Sequence, residues 1–149
     1  MALITCTPLD VPVDMDAPFD VERDLTLDTP GRYGLYLAFD RRDASFARLR
    51  DLIGGTYGQK IEVNEILTDA NEPPGLAIPI KWELQTNTET VAEEQSLTLG
   101  AHLWSEAEVG RLLYCGDFAA GGCKFKARLA KGIPELRNIR CRFRLDRLK

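Results

Sequence analysis

Residues 138–145 alternate without a break: Ile139, Cys141, Phe143 and Leu145 fall on one face, and Asn138, Arg140, Arg142 and Arg144 on the other. A period of two puts successive side chains on opposite sides of a pleated strand, so this segment reads as a half-buried β-strand with a cationic outer surface. The same alternation recurs at residues 31–39, where Tyr33, Leu35, Leu37 and Phe39 share a face despite the intervening Gly34. Residues 60–67, 77–85, 96–101 and 123–130 complete the strand candidates, and 138–148 bounds the last one.

Between these strands the chain is punctuated by turn residues. Pro8, Pro12, Pro18 and Pro30 divide residues 7–30 into short apolar pieces, which read as extended edge segments or loop and could add one or two strands. Pro79 removes a ladder donor from the 77–85 candidate and argues for an edge position or a bulge there. Two short helices are expected. Phe46, Leu49, Leu52 and Ile53 are spaced for one, which Gly54-Gly55 would end. Ser105-Glu106-Ala107-Glu108 has the form of a capping box, with Trp104 and Val109 placed as a hydrophobic staple and Leu112 and Leu113 continuing the stripe. Many short strands with two short helices favour a mainly β protein, an antiparallel β-sandwich.

A chain of 149 residues is near the size of one domain and can bury a core of its own. Residues 1–149 are therefore expected to form one domain, with 1–29 an extended N-terminal segment and 30–148 the core. Its net charge of −4 hides an asymmetry: residues 121–149 hold ten Lys/Arg against two Asp/Glu, which leaves nine against twenty-one, or −12, for residues 1–120. An acidic body of this kind disfavours nucleic acid. No run approaches the ~18 consecutive apolar residues of a membrane span. Met1 to Thr5, ahead of Cys6, resemble the end of a lipoprotein signal without its charged and apolar regions, so periplasmic and cytoplasmic residence both stay open.

The chemistry-bearing residues are few. His102 is the one histidine and reads as a loop residue ahead of the second helix. Cys6, Cys115, Cys123 and Cys141 lack the short Cys-x-x-Cys spacing of a zinc site. Cys115 and Cys123 flank a glycine-rich turn and could close a disulfide loop, or could be small buried hydrophobes like Cys141. Glu62 with Glu65, or Glu93 with Glu94, would serve as acid and base only if held across a cleft, and read as solvated charges. Gly54-Gly55 and Gly121-Gly122 lack the Lys-Ser/Thr of a phosphate loop and read as turns. No cofactor, metal or catalytic residue is expected.

One constellation stands out: Lys124, Lys126 and Arg128 on one strand and Arg140, Arg142 and Arg144 on its expected hairpin neighbour. If adjacent, the six would form a basic ribbon on one sheet face. Like charges on neighbouring strands repel, so the ribbon would need either internal cover from Asp10, Asp14, Asp16, Asp20, Glu22, Asp24 and Asp28 or an acidic protein partner.

Residues 31–37, 78–84 and 122–127 together resemble a family of uncharacterised bacterial β-sandwich domains, copies of which are often small periplasmic lipoproteins. The resemblance spans about residues 30–148 and implies an immunoglobulin-like sandwich without enzymatic activity. It also implies a role for some members as immunity proteins that bind a secreted toxin. The expectation is thus a non-enzymatic protein-binding domain. The alternative is an extracytoplasmic structural or small-ligand-binding sandwich.

Overall fold

The computed structural model describes residues 8–55, 75–96 and 101–148. Nine strands and one α-helix occupy these residues: β1 (Leu9–Val13), β2 (Phe19–Leu27), β3 (Gly31–Asp40), α1 (Phe46–Ile53), β4 (Ile80–Thr86), β5 (Thr90–Glu93), β6 (Leu103–Trp104), β7 (Glu108–Phe118), β8 (Gly121–Leu129) and β9 (Cys141–Arg147). They form two antiparallel sheets, one ordered β1-β9-β3-β7-β6 and the other β2-β8-β4-β5. The expected β-sandwich is thus present.

The pairing is nested. The first strand pairs with the last, β2 with β8, β3 with β7, and β4 with β5, like a hairpin ribbon folded on itself. Rolled so that successive pairs fall in alternate sheets, such a ribbon has the connectivity of a jelly roll. An immunoglobulin sandwich instead keeps its first two strands side by side in one sheet, whereas here β1 and β2 lie in different sheets. Pro12 lies in β1, at the edge of its sheet, where a missing N–H is tolerated. Pro79 precedes β4 instead of interrupting it, and β4 is flanked by β8 and β5, so the expected edge or bulge is not needed.

The core fills the space between the sheets. Leu35, Leu37 and Phe39 of β3, Ile80, Trp82 and Leu84 of β4, Phe125 of β8 and Phe143 of β9 are fully buried. Phe125 and Phe143 meet across the sandwich with ring centroids 5.2 Å apart, and Phe19 stands edge-on to Phe143 at 5.9 Å. The Trp82 indole N–H, which would be costly to bury without a partner, donates to Glu93 Oε1 at 2.7 Å.

Helix α1 forms where expected. Ser45 caps it by accepting the Arg48 N–H, Gly54 ends it at φ 114°, and Leu49, Leu52 and Ile53 are buried. Phe46 is 59% exposed and does not join that buried stripe.

The second expected helix is a β-hairpin. Ser105 Oγ accepts the N–H groups of Ala107 and Glu108 at 3.3 and 3.1 Å, the same bonds that a helix cap makes. The Ser105 N–H, however, donates to the Glu108 carbonyl at 2.9 Å, which closes a two-residue turn between β6 and β7. Leu112 and Leu113, adjacent and both buried, mimic a helical stripe because β7 is covered on both faces there: Leu113, unpaired at a register shift opposite Leu35 and Tyr36 of β3, enters the core, and Leu112 packs with Tyr36 and Cys115 on the other face. The strand candidate at 60–67 and most of that at 96–101 lie outside the described residues.

Candidate functional site

The six basic residues of the expected ribbon do not lie together. Strands β8 and β9 belong to different sheets, so Lys124, Lys126 and Arg128 face outward on one side of the sandwich and Arg140, Arg142 and Arg144 on the other. Alternation specifies the face that a side chain takes but not the neighbouring strand, and nested pairing gave each strand an acidic neighbour from the N-terminal segment.

On the four-stranded sheet, Asp20, Glu22 and Asp24 of β2 stand in register with Arg128, Lys126 and Lys124 of β8. Lys124 lies 3.5 Å from Glu22 and 4.0 Å from Asp24, and Lys126 lies 3.8 Å from Glu22. On this side the carboxylates are the outer layer: the Asp24 side chain is 85% exposed, against 40% for Lys124.

On the five-stranded sheet the layering is reversed. Arg140 makes a two-pronged bond to Asp43, Nε and Nη2 each donating at 2.9 Å, and its Nη2 also lies 3.3 Å from Asp40. Arg142 Nε donates to Glu108 at 2.8 Å and its Nη1 to Asp10 at 2.9 Å, while Arg144 reaches Glu108 and Asp146. Glu108 and Asp40 are sunk to 14% and 16% exposure, whereas Arg140 and Arg42 stand out at 66% and 73%. Bonds from the Arg42 side chain and backbone hold the Asp40 carboxyl well below the usual carboxylate range. Asp43 is likewise lowered by Arg140.

These side chains border a groove of about 410 Å³. Its apolar lining comes from Pro12, Val13, Ala38 and Ala107, and its walls from Asp40, Arg42, Glu108, Arg140 and Arg142. Ala38 and Gly110 face each other in register on β3 and β7, so the sheet surface is low at this point. The sequence reading missed Asp40, Asp43 and Glu108. Glu108 was legible only as part of a helix cap, and its role depends on β9 lying within reach of β7 across β3.

The other candidates have structural roles. His102 is buried beside β7, where its Nδ1 accepts the Leu112 N–H at 3.0 Å, so the neutral ring carries its proton on Nε2. Burial, then the nearby Arg111 charge, pulls its pKa down to about 4. Arg111 is itself buried and donates to the carbonyls of Leu76, at 2.8 Å, and Ile53, tying the end of α1 to β7.

Cys115 and Cys123 are not joined. Cys115 packs with Tyr36 and Leu112 on one sheet, whereas Cys123 and Cys141 belong to the central core. Glu93 serves the Trp82 indole and Glu94 lies 3.3 Å from Lys81, while Glu62 and Glu65 fall outside the described residues. Among the described residues no group of three or more His, Cys, Asp and Glu is placed to hold a metal ion. None of the described helices is long and apolar enough to cross a membrane.

No family model and no curated protein matches this chain. Its fold is similar to the crystal structure of a protein from Sulfurospirillum deleyianum. The TM-score is 0.69 at 17% sequence identity, over 97% of this chain and 99% of that one. At that identity the likeness concerns the fold alone.

Proposed function

We propose that this chain is a non-enzymatic protein-binding domain that meets an acidic partner surface with the outer face of its five-stranded sheet. The observation that carries this reading is the layering of charge, with Asp40 and Asp43, each 16% exposed, sunk beneath the outstanding Arg42 and Arg140. Guanidiniums already held by carboxylates lose little freedom when a partner arrives, and they keep donors for it. The resemblance of the sequence to bacterial sandwich domains favours, as the narrower form, an immunity protein whose partner is a secreted toxin. Lys124, Lys126 and Arg128 face away from this surface and are not part of it.

The test is affinity capture with the native chain and with a variant carrying Arg42→Gln and Arg140→Gln, followed by binding of the purified captured protein at low and high salt. The reading expects a single acidic protein, lost with the variant, whose affinity falls as salt rises. Equal capture by both forms overturns it. A toxin as the captured protein supports the immunity form, and another protein removes it.

A second reading has an observation of its own. A groove of about 410 Å³ with an apolar lining and a few polar walls lies within the usual size range of small-ligand sites. Binding of a small carboxylate compound that the Arg42→Gln/Arg140→Gln variant loses, without any captured protein, would favour it.

A further inference from the structure

Strand β2 is an open edge. It spans nine residues, Phe19–Leu27, and among the described residues it pairs with β8 on one side and with no strand on the other. A free edge offers a row of backbone donors and acceptors to any extended chain, and natural sheets blunt such edges with short strands, proline or charged side chains. The other three edges are blunted in this way. β1 is five residues long with Pro12 inside it, β5 has four residues and β6 has two. β2 has no proline.

Two further features say what could lie along it. On the outer face, Asp20, Glu22 and Asp24 form a carboxylate row, of which Glu22 and Asp24 are more exposed than Lys126 and Lys124 opposite them. On the inner face, Phe19 and Val21 are only partly buried where they pack against the core, so this rim is not fully covered. An added strand whose outward residues are basic and whose inward residues are apolar would meet both needs. The one neighbour that β2 already has, β8, follows this rule: Lys124, Lys126 and Arg128 face the three acids, and Cys123, Phe125, Ala127 and Leu129 enter the core. A second copy of β2 is refused, because antiparallel self-pairing would set Asp24 against Glu22.

We propose that the free edge of β2 is a docking site for an extended protein segment in which basic and apolar residues alternate, added to the four-stranded sheet as a further strand. This surface is separate from the arginine face, and the proposal does not depend on it.

The probe is a nine-residue peptide alternating lysine and valine, matched to the length of β2. Two controls accompany it, the same peptide N-methylated at alternate residues and the glutamate-for-lysine peptide. Saturable binding of the lysine peptide alone is expected, with slowed amide exchange in β2 of the native chain. The Glu22→Gln/Asp24→Asn variant should bind roughly two- to thirtyfold more weakly through the loss of two cross-strand charge pairs, and Arg140→Gln should bind unchanged. The proposal is overturned by no saturable binding, or by equal binding of the N-methylated peptide, which would mean charge attraction without strand pairing. Unchanged exchange in β2 or undiminished binding by the Glu22→Gln/Asp24→Asn variant would overturn it equally.

Discussion

Asp10 and Arg142 lie 132 positions apart in the sequence and form an ion pair at 2.9 Å, across the seam where the first strand joins the last. The pair is one case of a general cancellation. Nested strand pairing brings the acidic N-terminal strands against the basic C-terminal ones on both sheets, so the charge asymmetry along the sequence becomes local pairing in space.

Glu108 should be the costliest of the surface carboxylates to remove. It is sunk in the sheet face and bridges Arg142 and Arg144, so Glu108→Ala leaves two guanidiniums facing each other without their shared acceptor. A loss of about 1–3 kcal/mol is expected from urea unfolding. Asp24→Ala, at 85% exposure, should fall within about 1 kcal/mol of native. Equal losses would show that the depth of the carboxylate does not matter.

His102 should make stability depend on pH in the mildly acidic range. Its folded pKa of about 4 lies below its ordinary value of 6.5, so protonation favours the unfolded chain. The contribution is fully present above pH 6.5 and is lost as pH falls through 4, by up to about 3 kcal/mol in total. Urea midpoints measured across this window should decline for the native chain. They should decline less for His102→Gln, whose amide oxygen can still accept the Leu112 N–H. A variant with an unchanged slope would remove His102 as the cause.

Thiol chemistry should follow burial. Burial pushes the Cys123 thiol up and the Cys141 thiol well above its ordinary value, and Cys115 is also buried. In a Cys6→Ser background the folded chain should react slowly with a disulfide reagent and release its full thiol count only in denaturant. Rapid reaction of the native form would contradict the packing of these residues.

The aromatic core should separate sharply from the aromatic surface. Phe125→Ala removes a ring packed between the sheets against Phe143 and should cost about 3–5 kcal/mol. Phe46→Ala, on an exposed position at the start of α1, should stay within about 0.5 kcal/mol. Thermal or urea unfolding of the two variants compares them directly.

The elements legible in the sequence were those whose large apolar side chains alternate. In β3, Tyr33, Leu35, Leu37 and Phe39 are buried as their alternation required, although Tyr36 and Ala38 on its other face are buried too, and β9 buries Cys141, Phe143 and Leu145 against a half-buried outer face. Strand β7 was illegible because both of its faces are buried where Leu112 and Leu113 part, and because Ser105 makes the same bonds in a hairpin turn as in a helix cap. Arg111, a charge in the core, had no periodic signal at all; it is held by carbonyls that α1 and residue 76 bring to it.

The sequence by itself determined a mainly β chain, the inward sides of β3, β8 and β9, and a short helix ending at Gly54, while leaving open whether Cys115 and Cys123 are bridged. These are local properties, read from the period of a side-chain pattern and from the chemistry of a cap or a turn. Only the tertiary structure decided that β8 and β9 belong to opposite sheets, that Arg142 meets Asp10 and Glu108, and that β2 pairs, among the described residues, on one side alone. Strand neighbours are chosen by the packing of two whole sheets around a shared core, and an alternating pattern is equally satisfied by any neighbour that leaves its apolar face inside.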